Sequence, residues 1–177
     1  AGIQRKRGVD GFSNGRPPCP CLNLIRGNDK RMEIRTALES DAAGISELIQ
    51  LVSVQCNFSE TEPCPQWFID STKPDVLQPL IVSDDYLWLI AVERGEVTGV
   101  LTLFEGNLVK YLFVHPKCQR KGVARALWQR AIPELRSEIS VRSSLLAVPF
   151  YEKRGFKKVG EVKFFNGVSF QTMIAQL

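Results

Sequence analysis

A strand, a tight turn and a helix follow one another between residues 111 and 135, and this succession constrains the fold more than any other part of the chain. The apolar run Tyr111–Val114 predicts a buried strand, which His115-Pro116 ends. The turn Gln119–Ala124 comes next, with small residues at Gly122 and Ala124. Apolar side chains then recur every four positions, as on one face of a helix, at Val123, Leu127, Ala131 and Leu135.

The start of the predicted helix has the chemistry of an anion site. The first turn of a helix carries unpaired N–H groups and a partial positive charge, which suit a phosphate. Gly122 and Ala124 keep side-chain bulk away from the backbone, and Arg120, Lys121 and Arg125 add positive charge. The glycine spacing is neither that of a P-loop nor that of a dinucleotide-binding turn. The segment predicts a phosphate-binding turn; the alternative is a surface loop that caps an amphipathic helix.

Two segments together indicate a family. Gln119–Ala124 resembles motif A of the GCN5-related N-acetyltransferases (the GNAT superfamily), whose pattern is Gln/Arg-x-x-Gly-x-Gly/Ala. Ser143–Phe156 resembles motif B, a short helix that carries Phe150-Tyr151 and is closed by Gly155-Phe156. The motifs stand in the family's order and at its spacing, and the resemblance covers about Met32–Leu177.

The resemblance implies a fold and a cofactor. The fold is a single α/β domain whose mixed, mostly antiparallel sheet is flanked by helices. Acetyl-coenzyme A (acetyl-CoA) is the implied co-substrate, and no metal is implied. By position, the strand residues whose backbone pairs with the pantetheine arm are Leu112, Phe113 and Val114. Those of the pyrophosphate turn are Gln119, Arg120, Lys121, Gly122, Val123, Ala124 and Arg125.

Tyr151 matches the family tyrosine that gives a hydrogen bond or proton to the coenzyme A sulfur, and a phenol suits this role because it stays protonated at neutral pH. The alternative is a core tyrosine with a satisfied hydroxyl. His115, the one histidine in the chain, stands in a Val-His-Pro link that is usually structural in the family. Family members often carry Asn where Arg142 stands, a departure that bears on how the cofactor arm or acceptor is held.

The acceptor side is less determined by the sequence. Glu105, near the end of a predicted strand, is a candidate base or substrate contact. Phe58 and Trp67 are candidate walls of an acceptor pocket, and Glu60 and Glu62 are candidate attractors of a cationic amine. The alternative is that Trp67 packs beneath a helix and the glutamates are solvated. The residues leave the general base unassigned.

Charge and cysteine content bear on partners and compartment. Of the 23 Lys and Arg residues, seven lie in residues 1–31 with two Asp, so this segment carries a net charge of +5 and the remainder about −1. The basic pI therefore belongs to the N-terminal segment and is weak evidence for nucleic-acid binding. Five irregularly spaced cysteines form no disulfide framework, and Cys19-Pro20-Cys21 alone is a poor zinc site. We expect reduced thiols and a cytoplasmic location, and neither a membrane nor a nucleic acid as partner. The sequence leaves open whether the protein forms a homodimer.

The chain divides into two parts. Residues 1–31 mix Gly, Pro, Asn and Arg without periodicity, and we expect an extension of vector or read-through origin ahead of a natural start at Met32. Residues 32–177 form the predicted domain. Its pattern predicts a strand from Met32, a helix from Ser40 or Asp41 to about Val52, a helical region over 66–82 that is interrupted near Pro74, and strands up to Val114. A helix over about Gln119–Arg136, which Pro133 bends or shortens, and a strand over 138–142 come next. A hairpin turning at Asn166-Gly167 follows.

The sequence thus predicts an N-acetyltransferase that moves an acetyl group to a primary amine of a small molecule or a protein. Two alternatives come from other classes. One is a non-catalytic acyl-CoA-binding or interaction module with the same fold, and turnover with a panel of amines would distinguish the enzyme from it. The other is a nucleic-acid-associated protein that uses its basic extension. Salt-sensitive nucleic-acid binding, measured with and without residues 1–31, would distinguish this protein from the other two.

Overall fold

The computed structural model describes residues 32–57 and 64–176 of the chain. The helices of this part are α1 (Ala42–Asn57), α2 (Gln66–Ser71), α3 (Pro74–Ile81), α4 (Val123–Ala131) and α5 (Val148–Glu152). The strands are β1 (Glu33–Thr36), β2 (Tyr86–Glu93), β3 (Glu96–Phe104), β4 (Leu108–Val114), β5 (Glu138–Ser143), β6 (Lys157–Lys158), β7 (Lys163–Phe165) and β8 (Val168–Gln176). The predictions made for residues 1–31 and for Phe58, Glu60 and Glu62 concern parts of the chain that lie outside the described residues.

The described strands form a sheet in the order β1-β2-β3-β4-β5-β8-β6, with β7 paired to β8. All neighbours are antiparallel except β4 and β5, which are parallel. The parallel pair is joined through α4, because parallel strands need a crossover connection. This sheet with flanking helices confirms the predicted fold class.

The two faces of the sheet bury different cores. On β2, alternate residues point to opposite faces, so Leu89 and Ala91 join a core with α4 and α5, while Trp88 and Ile90 join a core with α1 and α3. Helix α4 lies very close to the sheet: a Cβ added to Gly99 would lie 2.8 Å from Val123 Cγ1. The first turn of α4 is therefore positioned by direct packing on β3.

Helix α4 is shorter than the sequence predicted. It begins at Val123 and not at Gln119, because Arg120 (φ 61°) and Gly122 (φ 87°) are left-handed and cannot lie inside a helix. It ends at Ala131 and is followed by a 3₁₀ turn over Ile132–Glu134, which confirms the shortening expected at Pro133, since proline has no N–H to continue the helical ladder. The helical region predicted over 66–82 is interrupted near Pro74, as expected: α2 ends at Ser71 and α3 begins at Pro74.

The C-terminal hairpin follows its sequence signal. Phe165 pairs with Val168, which leaves Asn166 (φ 48°) and Gly167 (φ 86°) as a two-residue turn with both backbone angles positive. Such angles define the type I′ turn that Asn-Gly favours. The prediction of a hairpin at this position is confirmed, and its first strand is interrupted into β6 and β7.

The Asp41 side chain holds the end of β1 and the residues that follow it, and replacing Asp41 tests this part of the fold. Its carboxylate accepts two hydrogen bonds from Arg35, of 2.7 and 2.9 Å, and one from Leu38 N at 2.7 Å. The Arg35 hydrogen bonds hold the pKa of Asp41 below its usual value, so the ionised form stabilises the fold. We expect Asp41→Asn to lower the free energy of unfolding by about 1–2 kcal/mol at pH 7.

The pH dependence follows from the sign of that shift. A lowered folded-state pKa gives stability that is present above the unfolded pKa, near 4, and is lost as pH falls through the folded value. The stability difference between wild type and Asp41→Asn, measured by denaturant unfolding, should therefore narrow as the pH falls from 7 to below 4. A difference that does not depend on pH would contradict the assigned ion pair.

Candidate functional site

Strands β4 and β5 separate soon after they meet. They pair only at Leu108 with Ser140 and Val109 with Val141, while β4 continues to Val114. Past Val109, the side of β4 that faces β5 has no strand partner among the described residues. A cavity of about 470 Å³ occupies this opening, a volume in the range of small-molecule sites.

A β-bulge at Lys110 sets which side chains enter the cavity. Thr102 pairs with Tyr111 and Leu103 with Val109, so Lys110 is the extra residue on β4. Leu112 packs against the α4 core, whereas Tyr111 and Phe113 pack against the α1–α3 core. Since all three line the cavity, the cavity passes through the sheet from one face to the other.

Tyr151 stands at the α5 wall of the cavity. Its ring is packed edge to face on Phe150, Phe156 and Trp128, with centroid distances of 5.2, 5.3 and 6.4 Å, and the residue is 4% exposed. It lines the cavity, and its hydroxyl has no hydrogen-bond partner among the described residues. Burial raises the pKa of Tyr151, with a smaller opposing effect from the charge of Arg154. The phenol therefore lines the cavity in its protonated form at neutral pH.

Arg154 fixes the short helix that carries Tyr151. Its guanidinium donates to the Phe150 carbonyl at 2.8 Å and stacks 3.3 Å from the centroid of the Phe150 ring. A helix of five residues has little stability of its own, so these contacts position α5 against the cavity.

The turn before α4 has the geometry of an anion site. Gly122 caps the helix, and the first helical bond runs from Ala126 N to Gly122 O at 2.9 Å. The N–H groups of residues 123–125 precede this bond and have no acceptor among the described residues. A Cβ added to Gly122 would meet nothing within 4 Å, so the space beside this residue is open. Arg120, Lys121 and Arg125 are exposed around it, without an ion pair in the described part of the chain.

Two side chains tie this turn to the end of β4. Gln119 Nε2 donates to the Val114 carbonyl at 3.1 Å, and His115 Nδ1 accepts from Lys117 N at 3.2 Å. The His115 side chain thus caps the connecting 3₁₀ turn. Both contacts keep the turn at a fixed distance from the cavity along β4.

The structure brings together most, but not all, of the predicted site residues. Leu112, Phe113, Tyr151 and Trp67 line the same cavity. Val114 and the motif A turn lie where β4 ends, beside this cavity's strand. Glu105 is elsewhere: it is an exposed residue of the β3–β4 turn (φ 49°), and it lines a second cavity together with Asp84 and Asp85.

Sequence reasoning missed the aromatic and cationic part of the cavity. The further aromatic residues that line it are Phe68, Tyr86, Phe104, Tyr111, Phe165 and Phe170, and its two cationic residues are Lys110 and Arg142. The alternation of Tyr111 and Phe113 on β4 was a usable signal, and Arg142 stood out as a departure from the family pattern. No Asp, Glu or His is among the described residues that line this cavity.

Neither a metal cluster nor a membrane-spanning helix is found in the described ranges. No three His, Cys, Asp or Glu side chains of residues 32–57 and 64–176 lie together as a metal ion requires. None of the helices there is both long and apolar enough to cross a bilayer. Cys64 and Cys118 are free thiols.

Curated proteins similar to this chain are bacterial N-acetyltransferases. An uncharacterized N-acetyltransferase, YafP, of Escherichia coli (strain K12) is 36% identical over 70 residues, which are 40% of this chain and 45% of that protein. The peptidyl-lysine N-acetyltransferase YiaC of the same strain is 32% identical over 84 residues, 43% of this chain and 56% of that protein. The chain thus spans about half the length of the curated relatives it matches.

Solved structures share the fold at lower identity. PaiA N-acetyltransferase from Thermoplasma acidophilum, in complex with coenzyme A, has a TM-score of 0.66 at 19% identity, over 83% of this chain and 99% of its own. The putative acetyltransferase yncA from Salmonella typhimurium, with its cofactor acetyl-CoA, has a TM-score of 0.60 at 24% identity, over 82% of this chain and 93% of its own. The family model described as the GNAT acetyltransferase domain matches residues 53–177. A match over that much of the chain confirms what motifs A and B predicted: this protein belongs to the GNAT acetyltransferase family.

Proposed function

We propose that this protein is an N-acetyltransferase that uses acetyl-CoA to acetylate a primary amine. One observation carries the proposal. The opening beside β4 joins an uncovered anion site, before α4, to a cavity in which the free hydroxyl of buried Tyr151 is the proton donor. Family membership supports the same activity, and the similar PaiA and yncA structures hold coenzyme A and acetyl-CoA.

The anion site accounts for the nucleotide end of the co-substrate. The N–H groups of residues 123–125 are unpaired among the described residues and the space beside Gly122 is open, so a pyrophosphate at this turn accepts their hydrogen bonds. Arg120, Lys121 and Arg125 add charge around it. From Val114 back to Tyr111, β4 spans about 10 Å at roughly 3.3 Å per residue. An extended thiol arm on the unpaired side of β4 therefore reaches the cavity.

The cavity supplies the donor for the chemical step. The neutral amine nitrogen forms a bond to the thioester carbon, and the resulting oxyanion expels the thiolate as the C–S bond breaks. The Tyr151 O–H gives its proton to the departing sulfur, and the proton released by the new amide returns to the phenolate through water. The balanced products are an N-acetyl amide and free coenzyme A.

The amine must lose a proton before it attacks. Near pH 7 an alkylamine lies about three pH units below its pKa, which costs roughly 4 kcal/mol. Since the described lining of the cavity has no Asp, Glu or His, we infer that this proton goes to solvent. Glu105 lines the other cavity, so we no longer favour it as the base.

The acceptor class and the non-catalytic alternative are decided by one assay. Purified protein is mixed with acetyl-CoA and a panel of polyamines, aminoglycosides, amino acids and lysine peptides, the last because the relative YiaC acts on peptidyl lysine. Free thiol release and the mass of the product are followed together. We expect release of one thiol per acetylated amine. Binding of acetyl-CoA without turnover on any amine would favour a non-catalytic acyl-CoA module.

A further inference from the structure

The acceptor side of the cavity combines cationic and aromatic side chains. On β5, Val141 faces the α4 core, so its neighbour Arg142 faces the opposite side of the sheet, with Tyr111 and Phe113 of β4. Arg142 and Lys110 both line the cavity there, and no acidic side chain does among the described residues. Among the described residues, an acceptor on this side of the sheet therefore meets two exposed cations and no carboxylate.

Arg142 is held in a way that leaves its donors available. Its guanidinium carbon lies 5.6 Å from the centroid of the Phe170 ring, and it makes no ion pair in the described part of the chain. Stacking on an aromatic ring occupies the flat face of a guanidinium but not the N–H groups in its plane. Those N–H groups match the two oxygens of a carboxylate.

Lys110 adds a second cation, fixed by the bulge. Its Nζ donates to the Tyr86 hydroxyl at 3.1 Å and lies 5.0 Å from the Tyr86 ring centroid. An ammonium has three N–H donors, so further donors are free after the Tyr86 bond. It too has no carboxylate partner within the described residues.

Aromatic walls complete this side of the cavity. Trp67 of α2 donates from Nε1 to the Asn166 carbonyl at 3.0 Å, which joins α2 to the tip of the β7–β8 hairpin. Pro65 and Gly167 are in close contact at the same junction. Trp67, Phe165 and Phe170 thus line the cavity from two elements that are fastened together. Such walls suit an apolar or aromatic body rather than a hydrated polar one.

We infer that the acceptor is a small amino acid whose carboxylate binds Arg142 and Lys110 and whose apolar or aromatic side chain lies among the aromatic walls. This inference rests on the proposed N-acetyltransferase function. The amine of the amino acid then lies between the two cations and the thioester, and the carboxylate of the amino acid offsets their positive charge. A polyamine or an aminoglycoside brings several positive charges to two cations that have no carboxylate partner among the described residues, so these acceptors are disfavoured.

The test compares acceptors that keep the same aromatic body and primary amine and differ in whether they carry the carboxylate. L-Phenylalanine, L-phenylalaninamide and 2-phenylethylamine share the aromatic body and the amine, and kcat/KM is measured for each with saturating acetyl-CoA. We expect phenylalanine to exceed the amide by about tenfold or more, since a bidentate Arg–carboxylate interaction is among the stronger hydrogen-bonded pairs. The amine of the amide is the weaker base, so a larger fraction of it is neutral at a given pH. Amine basicity alone would therefore favour the amide and does not explain a preference for phenylalanine.

Variants then assign the preference to residues. Arg142→Gln should bring the ratio of kcat/KM for phenylalanine over its amide toward one, mainly through KM, and Lys110→Gln should lower it less. Arg130→Gln, on the exposed surface of α4, is the matched control and should keep the wild-type ratio. The acetyl-CoA-induced thermal shift, measured for each variant, verifies that the cofactor site is intact.

The outcomes separate this inference from the proposed function. Turnover of lysine peptides or polyamines in preference to amino acids, or a ratio that Arg142→Gln does not change, overturns the inference and leaves the acetyltransferase function standing. The absence of thiol release with every amine, despite acetyl-CoA binding, overturns both.

Discussion

Replacing Tyr151 by Phe should lower turnover by roughly 10²-fold, the lower range for the loss of a positioned acid. The substitution removes only the hydroxyl, which has no hydrogen-bond partner among the described residues, and keeps the ring that packs on Phe150, Phe156 and Trp128. Stability and acetyl-CoA affinity should therefore change little. Because the hydroxyl acts in the transition state, kcat and kcat/KM should fall together.

A matched control for this experiment lies in the same cavity. Tyr111 also lines it, but it packs against the α1–α3 core on the other face of the sheet. Tyr111→Phe removes an identical hydroxyl and should leave the chemical step within about threefold, since no proton transfer is assigned to it. Equal losses in the two variants, or full turnover in Tyr151→Phe when chemistry is rate-limiting, would make Tyr151 a structural residue.

The buried phenol also predicts how activity responds to pH. Burial raises the pKa of Tyr151 above its usual value near 10, so the proton donor stays loaded throughout the neutral and mildly alkaline range. The folded protein favours the neutral phenol. The contribution of Tyr151 to folding stability is therefore present below about pH 10 and is lost only as the pH rises through the higher pKa of the folded state. Turnover should accordingly rise with pH as the amine is deprotonated, without a descending limb below pH 10.

Replacing Gly122 by Glu should abolish acetyl-CoA binding. A glutamate there adds a side chain and a negative charge at the residue that caps α4, beside the N–H groups to which the pyrophosphate binds in our account. We expect the thermal shift produced by millimolar acetyl-CoA to disappear, because only binding to the native state raises stability by mass action. In affinity, the loss should be at least about 100-fold, or 2.7 kcal/mol.

Backbone strain needs a separate control, since Gly122 has a φ of 87°. Any side chain at such an angle costs about 1–2 kcal/mol of stability. Gly160 is also left-handed, with a φ of 66° and no atom within 4 Å of an added Cβ, and it lies outside the β4–α4 connection. Gly160→Glu should show the strain and the added charge but keep the acetyl-CoA shift. A shift lost in both variants, or retained in Gly122→Glu, would contradict the assigned anion site.

Local sequence patterns predicted the elements whose signals are local. Asn166-Gly167 specified its turn because few residues other than Asn and Gly adopt two successive positive φ angles. The strand, turn and helix around Gly122 were predicted from signals that are equally local: an apolar run, two small residues and apolar side chains spaced four apart. The first residue of α4 was wrong because Arg120 is also left-handed, which its residue type does not indicate.

The acceptor side of the cavity depends on contacts far apart in sequence. Arg142 and Lys110 line one cavity from two strands, β5 and β4, that pair at only two positions, and Tyr111, after the bulge at Lys110, packs on the α1–α3 face. Phe170 and Trp67 reach the same cavity from the C-terminal hairpin and from α2. No periodicity within one element encodes that convergence. Glu105 is the opposite case. It was predicted to lie near the end of a strand, but it is a turn residue with positive φ and lines another cavity.

The most direct test of the central claim is a stoichiometric acetyl-transfer measurement on wild-type protein, Tyr151→Phe and Gly122→Glu, with the amine panel and with acetyl-CoA labelled in its acetyl group. We predict that wild-type protein moves the label to an amine and releases one free thiol for each product molecule. Tyr151→Phe should bind acetyl-CoA but transfer slowly, and Gly122→Glu should neither bind nor transfer. Wild-type protein that binds labelled acetyl-CoA tightly and transfers the label to no amine would contradict the account.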